Sequence, residues 1–260
     1  MKICNLSSGS DGNLTYIESE QSKIIVDIGL SCAETERRLR YLKVNPEQID
    51  AIFISHEHTD HIKGLDVFAN KYKTKVFVHE DGYNSLVSKL KKQLDIIAFK
   101  DNFFDFKGLT IQTIALPHDV KRCTGYSFLE NQKKISIFTD LGHTTKDILQ
   151  NLSGSNLIFL EANHDVDMLK ANKSYPEILK RRILSDNGHL SNKMCASAIA
   201  ELVKYGTKHI VLAHLSRKNN TPLLAYNSIK QSLFEAGIKV DEDVKINIAS
   251  IVPKAIYKTN

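Results

Sequence analysis

Several features that would point to a membrane-bound, secreted or repetitive protein are missing from this sequence. No apolar run reaches about 18 residues, the length that a membrane-spanning helix needs. The segment from Met1 to Asn5 leads directly into a loop rich in serine and glycine, without the apolar core of a signal peptide. There is no internal repeat, low-complexity tract or linker. These absences predict a soluble, cytoplasmic protein without a membrane partner.

Closely spaced cysteines are also missing. Cys4, Cys32, Cys123 and Cys195 lie far apart in the sequence and form no CxxC pair. Such pairs are typical of zinc-binding and redox motifs, so these four residues predict reduced thiols without a functional role.

Size and composition indicate one large α/β domain. With 260 residues and 42% hydrophobic content, the chain can bury a substantial core, and we predict a single domain over 1–260. The net charge of +5 permits a polyanionic partner without requiring one. Apolar periodicity and capping residues predict strands at 14–18, 23–27, 51–54, 75–78, 96–99, 109–115, 125–129, 134–138, 156–161 and 208–213, and helices at 31–42, 62–72, 80–93, 191–205 and 221–236. We expect mixed sheets flanked by helices.

The strongest signal is the segment SHEHTDH at 55–61, which follows an apolar run at 51–54. It places three imidazoles and a carboxylate within six positions at the end of a predicted strand. These ligands suit zinc, manganese or iron. The zincin motif HExxH does not apply, because the position four residues after His56 is Asp60. The segment therefore predicts a metal site of another kind.

Three further polar residues directly follow apolar, strand-like runs: His118, Asp140 and His214. One such residue would be an ordinary strand-end group. Three of them in a chain that also carries the histidine-rich turn predict a shared site at one edge of a sheet.

These residues resemble the metallo-β-lactamase superfamily, whose pattern is H-x-H-x-D-H followed by His, Asp and His. The resemblance spans nearly the whole chain and implies an αββα sandwich of two mixed β-sheets flanked by helices. It also implies two divalent metal ions, zinc or manganese, since no thiolate belongs to the set. The implied ligands are His56, His58 and His118 for one ion, Asp60, His61 and His214 for the other, and Asp140 as a bridge.

Other segments resemble the YycJ/WalJ family of bacterial exonuclease-like metallohydrolases. They are SSGSDGN at 7–13, TDLGH at 139–143, EANHD at 161–165, YP at 175–176, KRRI at 180–183, GHLSN at 188–192, and HLS at 214–216 followed by NN at 219–220. This resemblance implies digestion of double-stranded DNA from the 5′ end.

A more distant resemblance to ribonuclease Z covers the segment from His189 to His214. It implies that Glu161 and His189 form a pair that donates a proton to the leaving oxygen. Glu161 acting only to orient a metal-bound histidine remains an alternative. Only 27 residues separate Glu161 from Gly188, too few for a tRNA-clamping arm or a β-CASP domain. With Asp60, these two residues are the predicted catalytic groups.

Substrate contacts are predicted from the same segments and from charge. The loop at 7–13 could present backbone N–H groups to a phosphate, and basic residues at 180–182 could follow a DNA backbone. The expected contacts are Ser8, Asn13, His164, Lys180, Arg181, Arg182, Ser191 and Ser216.

We therefore predict a two-metal phosphodiesterase acting on DNA ends. The main alternative is a small-substrate hydrolase of the glyoxalase II or lactonase kind, which would share every metal ligand and bind in an apolar pocket. A non-catalytic nucleic-acid-binding module and an iron-dependent dioxygenase are further alternatives, and metal analysis would reveal the latter. The sequence is compatible with either metal, with DNA or RNA as substrate, with either direction of digestion and with any oligomeric state.

Overall fold

Two β-sheets form the centre of the protein in residues 1–250 and 256–259, which the computed structural model describes. Strands are numbered along the chain. In spatial order, the first sheet contains β14 (Tyr257–Lys258), β1 (Lys2–Ser7), β2 (Leu14–Glu18), β3 (Lys23–Val26), β4 (Ala51–Phe53), β5 (Lys75–His79) and β6 (Ile96–Phe99). The second contains β13 (Lys245–Ile248), β12 (His209–Ala213), β11 (Leu157–Glu161), β10 (Lys133–Phe138), β9 (Cys123–Glu130), β8 (Leu109–Leu116) and β7 (Phe103–Phe106).

The two sheets have the same mixed construction. Strands β3 to β6 run parallel in the first sheet, and β10 to β13 run parallel in the second. The remaining neighbours pair antiparallel. Because parallel strands end at the same edge, residues that follow β3, β4, β10, β11 and β12 can meet there.

Helices cover the outer face of each sheet. They are α1 (Cys32–Tyr41), α2 (Thr59–Ile62), α3 (Leu65–Tyr72), α4 (Glu80–Val87), α5 (Lys146–Leu152), α6 (Val166–Ala171), α7 (Glu177–Ile183), α8 (Asn192–Lys204) and α9 (Pro222–Glu235), with a 3₁₀ turn at Pro46–Gln48. One apolar cluster lies between the sheets, and two others lie between a sheet and its helices. This is the expected αββα sandwich. No helix within the described ranges is long and apolar enough to cross a membrane.

The capping signals in the sequence mark real helix boundaries. Ser31, Ser191 and Thr221 each accept a hydrogen bond from a backbone N–H in the first turn of α1, α8 and α9. Gly206 and Gly237 follow the ends of α8 and α9 with φ values of 86° and 77°. These three helices match the predicted boundaries within about two residues.

Other predicted elements differ from the structure. The helix expected at 80–93 ends at Val87, because the following chain turns so that the N–H groups of Lys91 and Lys92 bind the Asp66 carboxylate. The helix expected at 62–72 is interrupted near Gly64, where an added Cβ would lie 2.2 Å from the Leu30 carbonyl oxygen. The elements that were not predicted are strands β1, β7, β13 and β14, helices α2, α5, α6 and α7, and the 3₁₀ turn.

Three site residues directly beyond strands adopt left-handed backbone conformations. The φ values of Asp27, Asp140 and His214 are 57°, 63° and 54°. Non-glycine residues rarely adopt this region, which costs on the order of 1 kcal/mol or more. The chain turns sharply at these residues, after β3, β10 and β12. The side chains of Asp27, Asp140 and His214 converge with those of the histidine-rich turn.

Candidate metal centre

Three histidine side chains converge near the end of β4. Nε2 of His56 lies 2.9 Å from Nδ1 of His58, and Nε2 of His118 lies 3.3 Å from the same atom. His118 Nδ1 donates to the Gly188 carbonyl at 3.2 Å, which leaves its Nε2 as the nitrogen with a lone pair. Three converging ring nitrogens are a donor set that could hold one divalent cation.

A second group lies beside the first. Asp60, His61 and His214 offer ligand atoms that all lie within 4.8 Å of one another. Nε2 of His61 and Nε2 of His214 are each 3.6 Å from Oδ2 of Asp60. Asp60 and His61 belong to α2, whereas His214 follows β12 of the opposite sheet, so the group joins the two halves of the protein.

Asp140 lies between the two groups. Its Oδ2 is 3.3 Å from Nε2 of His61, and its Oδ1 is 3.9 Å from Nε2 of His118. Burial opposes ionisation, but the charges of His214 and His61 outweigh it and hold the pKa of Asp140 well below its usual range. An ionised carboxylate that touches both groups can bridge two cations.

Buried carboxylates orient the two central histidines. Nδ1 of His61 donates to Oδ2 of Asp27 at 2.7 Å, and Nδ1 of His214 donates to Oε1 of Glu161 at 2.6 Å. Each bond directs the Nε2 atom of the ring toward Asp60. A carboxylate in this position fixes the tautomer of a metal-binding histidine and raises its basicity.

Glu161 also binds His189. Nδ1 of His189 donates to Oε1 at 2.9 Å, and Oε2 accepts the backbone N–H groups of Leu141 and Leu190 at 3.1 Å each. Burial alone would raise the pKa of Glu161, but His189 and the hydrogen bonds lower it to about 2. Burial opposes the charge on His189, yet the Glu161 charge and hydrogen bond raise the pKa of His189 above its usual value.

The chemistry of the donors fits divalent metal ions. Oδ2 of Asp140 and Nε2 of His214 are buried without a hydrogen-bond partner in the described part of the chain. A buried polar atom without a partner is costly, and both atoms point to a ligand. The groups that offer converging ligand atoms consist of histidine, aspartate and glutamate, so the donors are nitrogen and oxygen. These buried clusters are consistent with a dinuclear metal site.

A cavity of about 390 Å³ opens onto these groups. Its volume is within the range of about 300–1,000 Å³ that is typical of small-ligand pockets. The cavity lining combines the metal-site residues His58, Asp60, His118, Asp140, His189 and His214 with Ser10, Thr59, Asp119, Asn163, Tyr175, Leu179, Arg182, Ile183, Gly188 and Ser216.

Of the predicted substrate contacts, only Arg182 and Ser216 line this cavity. Ser8 instead accepts the backbone N–H of His214 at 2.7 Å, and Asn13 Nδ2 lies 3.0 Å from Nε2 of His61. Ser191 caps α8. These three side chains are occupied in building the site.

The other three expected contacts lie outside the cavity lining as well. The expectation that Lys180 contacts the substrate needs a correction. The residue is buried, and its ammonium group donates to the Lys170 carbonyl at 2.7 Å and to Glu177 at 2.8 Å. Arg181 is exposed on α7. His164 is buried, and burial lowers its pKa to about 4.

Two residues of the site were missed in the sequence. Asp27 directly follows the apolar run at 24–26, so the strand-end rule applied to His118, Asp140 and His214 would have found it. Asp119 pairs with Arg182 at the cavity and lies 3.4 Å from Nε2 of His118. Only its position after His118 could have drawn attention to it.

Comparison with known proteins identifies the class to which this arrangement belongs. Residues 22–215 match the family described as the Beta-lactamase superfamily domain. The chain therefore belongs to the metallo-β-lactamase superfamily.

Its relatives are more specific than that class. The chain is 37% identical over 245 residues to Exodeoxyribonuclease YycJ of Bacillus anthracis, covering 93% of this chain and 92% of the relative. It is 35% identical over 252 residues to Exodeoxyribonuclease WalJ of Streptococcus pneumoniae, covering 94% and 93%. It is also 31% identical over 124 residues to Ribonuclease Z of Nanoarchaeum equitans, covering 42% and 38%. The expected likeness to the YycJ/WalJ family is thereby confirmed.

Solved structures confirm the fold. The metallo-β-lactamase fold protein YhfI from Bacillus subtilis superimposes with a TM-score of 0.75, covering 99% of both chains at 16% identity. At this identity the likeness concerns the fold alone.

Proposed function

We propose that the protein is a dinuclear-metal phosphodiesterase, an exodeoxyribonuclease that digests double-stranded DNA from the 5′ end. The observation that carries this proposal is the Glu161–His189 hydrogen bond, because His189 lines the same cavity as the histidine and aspartate clusters while Glu161 is buried behind it. Cleavage of a phosphodiester leaves an alkoxide that must be protonated, and this pair provides a proton donor at the required place.

In this proposal the two ions, zinc or manganese, are held by the residues described above. His56, His58 and His118 hold one, and Asp60, His61 and His214 hold the other, with Asp140 between them. Such ions would supply an activated water and positive charge for the non-bridging phosphate oxygens. The chain supplies the orientation, because Asp27 and Glu161 fix the ring directions of His61 and His214.

His189 donates the proton. Its Nδ1 is bound to Glu161, so Nε2 is the atom available to the leaving oxygen. The buried negative charge of Glu161 favours the protonated ring, which keeps the donor charged closer to neutral pH. Glu161 thus accepts hydrogen bonds from both His189 and His214. The two roles considered from the sequence, supporting a proton donor and orienting a metal-binding histidine, are therefore compatible.

The relatives support DNA as the substrate. Both are named exodeoxyribonucleases, and each match covers more than nine-tenths of both chains. The polarity from the 5′ end rests on the family resemblance alone.

The test is digestion of duplex and single-stranded DNA and RNA, labelled at either end, with added zinc, manganese or magnesium. We expect mononucleotides or short products from the 5′ end of duplex DNA, with activity lost after chelation. Rapid hydrolysis of a thioester or lactone, with no cleavage of any nucleic acid, would favour the small-substrate hydrolase instead.

A further inference from the structure

One wall of the cavity differs in chemistry from the metal centre. Tyr175, Leu179 and Ile183 line it with an aromatic ring and two branched alkyl groups. The first precedes α7, and the others lie on that helix. An apolar wall contributes nothing to binding metal or a phosphate group, so it is available to another part of a substrate.

The wall is attached directly to the proposed proton donor. The backbone N–H of His189 donates to the carbonyl oxygen of Ile183 at 3.0 Å. At Gly188 an added Cβ would lie 2.2 Å from the same oxygen, so only glycine permits this close approach. The backbone of His189 is therefore held against the end of α7, while its ring is held by Glu161.

The backbone of Tyr175 is tied to the loop that precedes α9. Its backbone nitrogen lies 3.4 Å from the Asn172 carbonyl oxygen, and Asn172 Nδ2 donates to Asn219 Oδ1 at 2.6 Å. The ammonium group of Lys218 lies 5.6 Å from the centre of the Tyr175 ring. Arg182, which pairs with Asp119, lines the cavity beside the wall. An aromatic ring and a cation that line one cavity can together bind a base and its phosphate.

We infer that this wall, defined by Tyr175, Leu179 and Ile183, is a nucleoside subsite in which the end base of the cleaved strand stacks on Tyr175. The inference rests on the proposed nuclease function and adds the part of the substrate that the site recognises. The phosphate lies at the metal centre, and the sugar and base extend along α7. A cavity of about 390 Å³ has the volume of a small-ligand pocket and can take one nucleotide.

The test first removes the end base of the substrate and then the aromatic ring of Tyr175. One duplex carries an ordinary end nucleotide, and a matched duplex carries an abasic tetrahydrofuran residue at that position. For the unaltered protein we expect kcat/KM to be about 5- to 150-fold higher on the intact duplex, the range typical of one base stacked on an aromatic side chain. Tyr175→Phe should keep this preference, and Tyr175→Leu should reduce it to nearly one.

Tyr41→Leu is the matched control, because Tyr41 is an exposed tyrosine at the end of α1 outside the cavity lining. It should behave like the unaltered protein. If DNA is cleaved but the abasic end is processed equally well, or if Tyr175→Leu keeps the preference, the subsite is wrong while the nuclease function stands.

A binding measurement separates the two proposals when no DNA is cleaved. Calorimetry of the metal-loaded protein compares thymidine 5′-monophosphate with deoxyribose 5-phosphate. We expect the nucleotide to bind at least about 5-fold more tightly, and Tyr175→Leu to remove the difference. Equal affinities in the unaltered protein would overturn the subsite. Hydrolysis of an acyl thioester that is weakened by Tyr175→Leu would assign the wall to an acyl group and overturn both proposals.

Discussion

The two halves of the metal centre use the same arrangement of a buried carboxylate and a histidine. In the first sheet, Asp27 follows β3 and binds Nδ1 of His61 at 2.7 Å. In the second, Glu161 ends β11 and binds Nδ1 of His214 at 2.6 Å. Both carboxylates are at most 4% exposed, so neither bond is weakened by competing water.

The halves differ in the remaining partners of each carboxylate. Asp27 accepts hydrogen bonds from the backbone N–H and the hydroxyl group of Ser55, which help to hold the Asp27 carboxylate in place. Glu161 accepts His189, whose ring lines the cavity. The strand-end carboxylate therefore binds one histidine of the clusters in the first half, whereas in the second half it binds two, His214 and the proposed proton donor His189.

The largest effect is expected from the residue that joins the two halves. Asp140→Ala should lower metal content from two ions per chain and abolish activity, because this carboxylate contacts both groups. Elemental analysis after reconstitution and a nuclease assay measure the two effects. Asp147→Ala, an exposed aspartate on α5, is the control. A variant that retains two ions and activity would show that Asp140 is not the bridge.

The next effect separates the proton donor from the ligands. His189→Ala should reduce kcat on DNA by about 10² to 10⁴, the range of general acid catalysis, while metal content is unchanged. A nitrophenyl phosphodiester needs little protonation of its leaving group and should largely restore the rate. His143→Ala is a matched control outside the cavity lining. Loss of a metal ion, or an equal defect on the activated substrate, would place His189 among the ligands.

Exchanging the two carboxylates for amides compares the halves directly. Asp27→Asn and Glu161→Gln should each weaken metal binding by about 10- to 100-fold, because each loses the charge that supports a histidine. Metal titrations followed by calorimetry measure this loss. Equal metal affinity in both variants and the unaltered protein would contradict the supporting role.

Only Glu161→Gln should also change the pH dependence. The Glu161 charge raises the pKa of His189, so the protonated donor persists to higher pH and activity falls as pH rises through that pKa. Removing the charge lowers this pKa, and the alkaline limb of kcat should move to lower pH. Profiles at saturating metal should show no such shift for Asp27→Asn. A shift of equal size in both variants would contradict the assignment.

The smallest effect is expected on α7. Arg182→Gln should weaken DNA binding a few-fold and reduce the salt dependence by roughly one phosphate contact, about 0.9 in the logarithmic slope. Arg37→Gln, an exposed arginine on α1, is the control. Lys180→Met should leave DNA affinity unchanged and lower stability by about 1 kcal/mol, because the Lys170 carbonyl loses its partner. Weaker DNA binding by Lys180→Met would instead support the expectation from the sequence that Lys180 contacts DNA.

The sequence was informative where chemistry is local. Four of the site residues lie within 56–61, and His118, Asp140 and His214 each follow an apolar run, so their identity and position could both be read. The substrate contacts could not be predicted in the same way. A serine, asparagine or lysine side chain can form hydrogen bonds with many kinds of partner. For Ser8, Asn13 and Lys180 the partner is another part of the same chain. Their sequence context carries no record of these partners.

The sequence by itself determined the types of donor, the strands that carry them and the caps of the principal helices, because each depends on residues a few positions apart. Only the tertiary structure decided that Glu161 binds two histidines, that Asp27 supports His61, and that Tyr175 faces the metal centre across one cavity. The three hydrogen bonds join residues 28 to 53 positions apart, which follow neighbouring strands of one sheet or lie in loops at the same edge. Their geometry follows from how the sheets pack, which no local pattern encodes.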